Sequence, residues 1–285
     1  MDNLVVKHNT LTNATYNLDL VEQRLILLAI VDARRSGKGI TANDPLNIAA
    51  NDYAQQFGTT RQASYSALKN ACENLFNRYF KYVEGNKNIK SRWVSQIAYI
   101  DDLARVELIF SPTVVPLITE LERHFTQYAI EQIVELNSAY AVRLYELLMS
   151  WRGTQKTEFF TISELRGRLG VDNSDYSRLD NFKRRVLDIA IEQINQRTDI
   201  TAKYEQYKTG RVVTGFSFSF KFKKTNSKPT EMDSSLGTNE TSCPLSLDTK
   251  STKQQEEKEK AADLLHLKKI AELAGVPVET LLKRH

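Results

Sequence analysis

One order of elements occurs twice in this chain of 285 residues, and the repetition limits the folds that it can adopt. In each half, a long helix is followed by a short helix, a turn with glycine, another helix and two alternating strands. Gly58 and Gly170 occupy the same point in the two halves, directly after the short helix. The period of about 110 residues is too long for a solenoid repeat and favours a duplicated domain. Two unrelated α+β units are the alternative.

The spacing of apolar residues predicts the elements of each half. In the first half they are a long helix over Leu18–Arg35, a short helix over Asn47–Phe57, a helix over Arg61–Tyr82, strands over Trp93–Ile100 and Arg105–Phe110, and a short helix capped by Ser111. In the second half they are a long helix over Ile130–Trp151, a short helix that follows Phe160–Ser163 and ends at Leu169, a helix over Ser177–Arg197, and strands over Ile200–Tyr207 and Val212–Phe222.

Helix, short helix, turn, helix and hairpin is the layout of a winged helix-turn-helix domain. The predicted fold class is therefore α+β, with two tandem winged-helix domains over residues 1–125 and 126–224 and a flexible C-terminal tail over residues 225–285. The tail begins with Ser, Thr and Asn and is typical of a linker. From Glu256 onward, charged residues followed by apolar ones predict a small docking helix; a solvated segment of marginal helicity is the alternative.

The distribution of charge is more informative than its total. The whole chain has 39 Lys and Arg against 35 Asp and Glu, a net charge of +4. Residues 225–285 hold 9 basic and 10 acidic side chains, whereas Thr157–Lys224 holds 13 basic and 9 acidic ones. A basic helix at 183–185 and a basic strand end at 221–224 suit phosphate binding. A solvated helix face with nearby acids is the alternative.

Motifs for catalysis or cofactor binding are missing from the sequence. There is no phosphate-binding Gly-x-x-x-x-Gly-Lys-Ser/Thr loop and no Gly-x-Gly-x-x-Gly. The four histidines have no partner at metal-ligand spacing, so a nicking enzyme, which needs a metal beside its nucleophilic tyrosine, is disfavoured. We expect no catalytic residue, no metal and no cofactor.

No apolar run approaches the ~20 residues of a membrane helix. The two cysteines predict no disulfide framework, so the expected location is the cytoplasm.

The remaining chemistry is DNA binding. In a helix-turn-helix, the N-terminal residues of the second helix reach base edges in the major groove. In the second half, Arg178 could pair with guanine and Asn181 with adenine. The full set of candidates there is Ser177, Arg178, Asn181, Lys183, Arg184 and Arg185. At about 100° per residue, the last three cannot all face one groove, so at least one is assigned to phosphate.

The first half has a second set of DNA-contact candidates at the start of its helix, with fewer basic residues. Small hydroxyl residues with one Arg and one Gln suit backbone contacts and limited base reading. They are Thr59, Thr60, Arg61, Gln62, Ser64 and Lys69. An ordinary exposed helix start, with a threonine as its cap, is the alternative. Lys208 and Arg211 at the tip of the second hairpin would form a wing beside the phosphates, or would serve only solubility.

Three segments resemble the iteron-binding plasmid replication initiators, the theta-type Rep proteins similar to that of the F plasmid. They occur in the order and at the spacing of that family, within residues 1–224. The segments are Leu20–Leu28 (LVEQRLILL), Ser138–Leu148 (SAYAVRLYELL) and Phe182–Asn195 (FKRRVLDIAIEQIN), the last of which resembles the main recognition helix.

The resemblance implies a function in bacterial plasmid replication. It implies that monomers bind directly repeated iterons in double-stranded DNA at the origin and help to open it. It further implies that homodimers, formed largely through the N-terminal domain, bind an operator inverted repeat and repress the initiator gene. The implied protein partners are the host replication initiator and the replicative helicase, with no membrane partner. A transcriptional repressor of the same architecture, without initiator activity, is the alternative.

Overall fold

The computed structural model describes residues 3–39, 41–119, 124–172 and 174–224, which belong to one compact unit. The predicted linker and docking helix of the tail lie outside the described residues. The first part of the unit contains β1 (Leu4–His8), α1 (Asn9–Asn13), α2 (Leu20–Ser36), β2 (Leu46–Ala49), α3 (Ala50–Phe57), α4 (Arg61–Asn77), β3 (Tyr79–Glu84), β4 (Lys87–Arg92), β5 (Val94–Ile100), β6 (Arg105–Phe110) and α5 (Val114–Thr119).

The second part repeats the same plan after a connecting strand. It contains β7 (Phe125–Ala129), α6 (Glu131–Val134), α7 (Ala139–Met149), β8 (Phe160–Thr161), α8 (Ile162–Leu169), α9 (Leu179–Phe182), a π-helical segment (Lys183–Asp188), α10 (Ile189–Arg197), β9 (Ile200–Thr209) and β10 (Val212–Phe222). β7 pairs antiparallel with β1 from Leu4–Ala129 to His8–Phe125, so the start of the chain lies beside its middle.

The two winged-helix sheets have identical topology. In the first, the short strand β2 pairs with β6, and β6 pairs with β5; in the second, β8 pairs with β10, and β10 pairs with β9. Each short strand leads directly into the first helix of the helix-turn-helix, which ends at a left-handed glycine: Gly58 has φ +65° and Gly170 has φ +73°. The predicted α+β fold of two tandem winged-helix domains is confirmed.

The helix predicted over Arg61–Tyr82 is too long, because α4 ends at Asn77 and the chain turns into β3. Phe80 is fully buried and packs against Trp93, with 4.9 Å between the ring centroids. The Lys81 backbone also bonds to Thr15 across an isolated bridge. These contacts with distant residues override the helical pattern, and they create a β3–β4 hairpin that has no counterpart among the described residues of the second half.

Three other predicted boundaries are wrong. Residues 47–49 belong to strand β2, because they pair with β6, and the helix begins only at Ala50. Ser111 does not cap a helix: its hydroxyl donates to the Arg92 carbonyl at 2.7 Å, and α5 begins at Val114. The helix predicted over Ile130–Trp151 is broken between α6 and α7.

Side chains from other helices satisfy the backbone where that long helix breaks. Arg24 on α2 donates to the carbonyls of Val134 and Leu136 at 2.9 and 3.1 Å. The Gln193 side chain on α10 accepts from the amides of Asn137 and Ser138 at 2.9 and 3.2 Å. Since a helix end leaves unpaired backbone groups, these distant bonds allow two helices where the sequence pattern predicts one.

A buried ionic cluster joins the start of the chain to the second domain. Lys7 on β1 pairs with Glu146 on α7, and both side chains are about 2% exposed. Glu146 also accepts from the Tyr128 hydroxyl at 2.6 Å and from Arg143 at 3.1 Å. Arg143 donates further to the carbonyls of Thr12, Ala14 and Arg168, and to the Tyr16 hydroxyl. Its guanidinium therefore fastens the segment after β1 to the end of α8.

The cluster predicts a loss of stability in acid. Burial raises the pKa of Glu146, but the charges of Lys7 and Arg143 and the hydrogen bonds from Lys7 and Tyr128 outweigh burial and hold it below 4.5. The ionised form is thus favoured by folding, so its stabilisation is complete above about pH 5 and is lost as pH falls through the lowered pKa. Urea unfolding between pH 7 and pH 3 measures this loss. Glu146→Gln should have a shallower acid slope than Glu205→Gln, an exposed control.

Candidate nucleic-acid interface

The second recognition helix is continuous from Leu179 to Arg197 and includes a π-helical segment. Phe182 and Val186 on this helix are fully buried, as are Ala190 and Ile194, so one face is fixed against the core. The predicted start at Ser177 is two residues too early. The π-helical segment, Lys183–Asp188, coincides with the three consecutive basic residues, and such segments occur frequently at functional sites.

A buried arginine that sequence reasoning missed holds the turn in front of this helix. Arg166 on α8 donates to the carbonyl of Asp172 at 2.6 Å, to that of Tyr176 at 3.2 Å, and to that of Asp175. Its guanidinium carbon also lies 5.2 Å from the centre of the Phe182 ring. The turn between α8 and α9 is longer than the turn between α3 and α4 in the first domain, and Arg166 binds three of its carbonyl oxygens. The two basic residues in the last turn of α8, Arg166 and Arg168, were the available signal in the sequence.

The two side chains predicted to read bases form hydrogen bonds with neighbouring residues of the chain. Arg178 forms a forked pair with Asp180 at 3.0 and 3.1 Å, and both are exposed. The hydrogen bond and charge of Asp180 raise the pKa of Arg178 further. Asn181 accepts from Arg184 at 3.1 Å. To read a guanine, Arg178 would have to exchange the two carboxylate oxygens of Asp180 for the two acceptors of the guanine edge.

The three consecutive basic residues have different surroundings. Lys183 is half-buried and donates to Gln206 on β9 at 2.9 Å, so it links the helix to the wing strand. Arg184 and Arg185 are exposed. Ser177 is also exposed, just before the helix. The structure thus leaves Arg184 and Arg185 available to a ligand and turns Lys183 toward the hairpin.

The wings of the two domains differ in charge. In the second domain, Gly210 has φ +62° at the hairpin tip, and the predicted wing residues Lys208 and Arg211 are exposed. In the first domain, the β5–β6 turn carries Asp101 and Asp102. The second wing therefore suits phosphate, whereas the first wing has acidic side chains at its tip.

In the first domain, four of the six candidates lie at the exposed start of α4. They are Thr59, Thr60, Arg61 and Gln62. Thr60 caps the helix by accepting from the Ala63 amide at 3.3 Å. Ser64 is only 1% exposed and shares a hydrogen bond with Thr59. The structure thus buries Ser64 against Thr59, which argues against the predicted direct contact of its side chain with DNA.

Lys69, the sixth candidate, is paired within the chain. It donates to Asp101 at 2.8 Å, and the Tyr65 hydroxyl donates to the same carboxylate at 2.6 Å. Hydrogen bonds from Lys69 and Tyr65 lower the pKa of Asp101, and the bond with Asp101 raises the pKa of Tyr65 to about 12. Asp101 therefore ties the recognition helix to the wing and neutralises Lys69.

A metal-dependent nicking reaction needs a metal site beside a reactive tyrosine. Within them, no three His, Cys, Asp or Glu side chains gather as a metal site would require. Burial raises the pKa of Tyr140 to about 12, and Tyr145 is buried and donates to Asp199 at 2.9 Å.

Cys72 is a buried free thiol, and Cys243 lies outside the described part of the chain. Among the helices described, none has the length and apolarity to cross a membrane.

Two Escherichia coli proteins are similar in sequence to this chain. One is an uncharacterised 27.6 kDa protein, 25% identical over 221 residues, which cover 73% of this chain and 91% of that protein. The other is a replication initiation protein, 25% identical over 194 residues, which cover 64% of this chain. The match spans about three fifths (60%) of the length of that second relative.

Two crystal structures are also similar. The Pi initiator protein in complex with iteron DNA matches 78% of this chain and 98% of its own, with 22% identity and a TM-score of 0.65, and it supports the fold. The WH1 domain of MSBI1.176, a replication protein isolated from a multiple sclerosis patient, is 61% identical. That match covers 44% of this chain and 98% of the domain, with a TM-score of 0.36.

Two family models match consecutive parts of the chain. The first, described as "Initiator Replication protein, WH1", matches residues 4–149, and the second, "Initiator Rep protein, WH2", matches residues 161–220. The first match alone covers just over half of the 285 residues. The first match contains the sheet of the first winged-helix domain, and the second match lies over the sheet of the second. The chain therefore belongs to the family of plasmid replication initiator proteins with two DNA-binding winged-helix domains, WH1 and WH2.

Proposed function

We propose that this protein initiates plasmid replication by binding directly repeated iterons in double-stranded DNA at the origin. As a monomer it opens the origin and recruits the host initiator and the replicative helicase in the bacterial cytoplasm. As a homodimer it binds an inverted repeat and represses its own gene. In this proposal residues 1–125 supply dimerisation and DNA-backbone contacts, and residues 126–224 supply most of the iteron recognition. Neither domain uses a catalytic residue.

The observation that carries the proposal is the pair of recognition helices in one compact unit. Both helices present exposed polar starts, and the second adds Arg178, Arg184 and Arg185 beside a basic wing. The similar fold of the Pi initiator bound to iteron DNA supports the same mode of binding. Two recognition helices in successive major grooves would span about 20 base pairs, or two turns of duplex.

A footprint on the DNA flanking the gene tests the proposal. We expect protection of tandem repeats of about 20 base pairs. A transformation assay with the cloned origin, with and without this gene, then separates the initiator from a repressor of the same fold. A plasmid that is maintained equally well without the gene, together with protection of an inverted repeat alone, would establish the repressor.

Removal of a base-reading side chain should relax the sequence preference. Arg178→Ala or Asn181→Ala should weaken binding to the iteron by about 1–3 kcal/mol and reduce the preference at one or two base pairs, because a forked hydrogen bond to a base is lost. Competition binding against iterons with single base changes measures this. Lys38→Ala, at an exposed site after α2, is the control. Unchanged preference in both variants would place the reading face elsewhere.

Removal of a phosphate contact should have a different signature. Arg184→Ala should weaken binding to iteron and unrelated duplexes by the same factor, because phosphates carry no sequence information. The slope of log K against log salt should become shallower by about 1. Fluorescence anisotropy at several salt concentrations measures both quantities. A loss confined to the iteron would instead assign Arg184 to a base.

A further inference from the structure

The β3–β4 hairpin, which follows the recognition helix and precedes the wing in the chain order of the first domain, has a face on which every charged side chain is basic. Alternate residues of a strand point to one side, and residues paired across strands share that side. Tyr79, Lys81 and Val83 therefore share a face with their partners Arg92, Lys90 and Asn88. All six are exposed. The opposite face holds the fully buried Phe80 and the acid Glu84.

The cations on this face are not neutralised by the described part of the chain. Lys81 and Lys90 are directly paired across the two strands, an arrangement of like charges that destabilises a hairpin. Among the described residues, neither they nor Arg92 form an ion pair. The two lysines lie against Tyr79, whose ring centre is 3.7 Å from Lys90 Nζ and 5.5 Å from Lys81 Nζ. Arg92 donates to the Phe76 carbonyl and lies over the Phe76 ring, and neither contact supplies a negative charge. Such a face lacks a counter-charge that an anionic ligand would supply.

The hairpin also lies beside a helix with a role in DNA docking. A cleft of about 780 Å³ separates the hairpin residues Lys81 and Lys90 from Glu164 and Arg168 on α8. α8 is the first helix of the second helix-turn-helix, and in that motif the first helix crosses the DNA backbone. A strand of phosphates that passes α8 would therefore lie close to the hairpin.

We infer that Lys81, Lys90 and Arg92 on the β3–β4 hairpin form a second phosphate-binding surface, which binds the backbone of duplex DNA beside the segment read by the recognition helices. This inference rests on the proposed function and adds a contact to it. Duplex is favoured over single-stranded DNA because Lys90 already covers a face of Tyr79, the ring on which a base would stack. Symmetric pairing with a second copy is disfavoured, since it would bring lysines against lysines.

Neutralisation of the two paired lysines tests the inference. Lys81→Gln/Lys90→Gln should weaken binding to iteron and unrelated duplexes alike, about tenfold or more at 0.1 M salt, and should lower the salt slope by close to 2. Lys38→Gln/Lys87→Gln removes the same charge, and its hairpin residue lies on the opposite face, so it is the matched control. Lys81→Arg/Lys90→Arg should retain the affinity. The Tm of the Gln variant should be unchanged or higher, because repulsion is relieved.

The possible outcomes are distinguishable. Suppose that the Gln variant binds duplex DNA as tightly as the unmodified protein, whereas Arg184→Ala binds it less tightly. This result overturns the hairpin surface and leaves the proposed function intact. A loss confined to single-stranded oligonucleotides, or a change in sedimentation without a change in DNA affinity, also overturns it in favour of a single strand or a second copy. If the unmodified protein prefers no iteron, the proposed function fails, and the effect on unrelated duplex still decides the hairpin.

Discussion

Arg143→Met is expected to lower the free energy of unfolding by about 3–5 kcal/mol, because it removes one partner from a buried ionic cluster. The Arg143 side chain is 1% exposed and donates to three carbonyls, a hydroxyl and a carboxylate. A methionine of similar length fills the space but leaves those acceptors without their donor, and buried acceptors without partners are costly. Urea unfolding followed by circular dichroism measures the change.

Two controls separate the cluster from a general effect of losing an arginine. Arg34→Met removes an exposed arginine of α2 and should change stability by no more than about 0.5 kcal/mol. Arg143→Lys retains the charge but not the fork, so its loss should be intermediate. Equal stability of Arg143→Met and Arg34→Met would contradict the role of the cluster. Because Arg143 fastens residues 12–14 to the end of α8, we also expect Arg143→Met to bind a complete iteron less tightly.

Gly170→Ala is expected to be far more damaging than the equivalent change at Gly58. Both glycines end the first helix of a helix-turn-helix with positive φ, and alanine in that conformation costs about 1–2 kcal/mol. At Gly58 an added Cβ meets no atom within 4 Å, whereas at Gly170 it would lie 2.5 Å from the Tyr16 carbonyl oxygen. Overpacking against backbone adds about 1–3 kcal/mol.

Gly58→Ala is the matched control for Gly170→Ala, because both substitutions place alanine at a positive φ and differ only in what the added Cβ contacts. Gly170→Ala should therefore lose about 2–5 kcal/mol, and Gly58→Ala only about 1–2 kcal/mol. Chemical unfolding of the two variants beside the unmodified protein measures the difference. Equal losses would mean that the segment around Tyr16 moves away without cost. A larger loss at Gly170 would show that the segment around Tyr16 is held rigidly against the end of α8.

Sequence reasoning predicted the repeated architecture because its signals are local. The 3.6-residue period of α2, the alternation of β9 and β10 and the glycines after the short helices can all be read within a few residues. The β3–β4 hairpin had a local signal as well, the Gly85-Asn86 pair between two strands, which indicates a two-residue turn. The apolar pattern that continues from α4 into Phe80 concealed it.

The candidate site was harder to predict because exposure and charge pairing depend on distant residues. The exposed Arg184 and Arg185 could be proposed from a run of three basic residues. That Asp101, 32 residues away, neutralises Lys69 could not. The burial of Ser64 against Thr59 and the bond from Lys183 to Gln206 likewise depend on how helices and strands pack.

The sequence by itself determined two winged-helix domains, their order and the elements that carry the basic residues, since periodicity and glycine conformation act over a single turn of chain. Only the tertiary structure decided which of those residues are free to meet DNA and how the two domains are joined. The joining cluster brings residues 7, 12–16, 128, 143–146 and 168 together in the core. Buried charges require partners, and folding alone selects which distant groups those partners are.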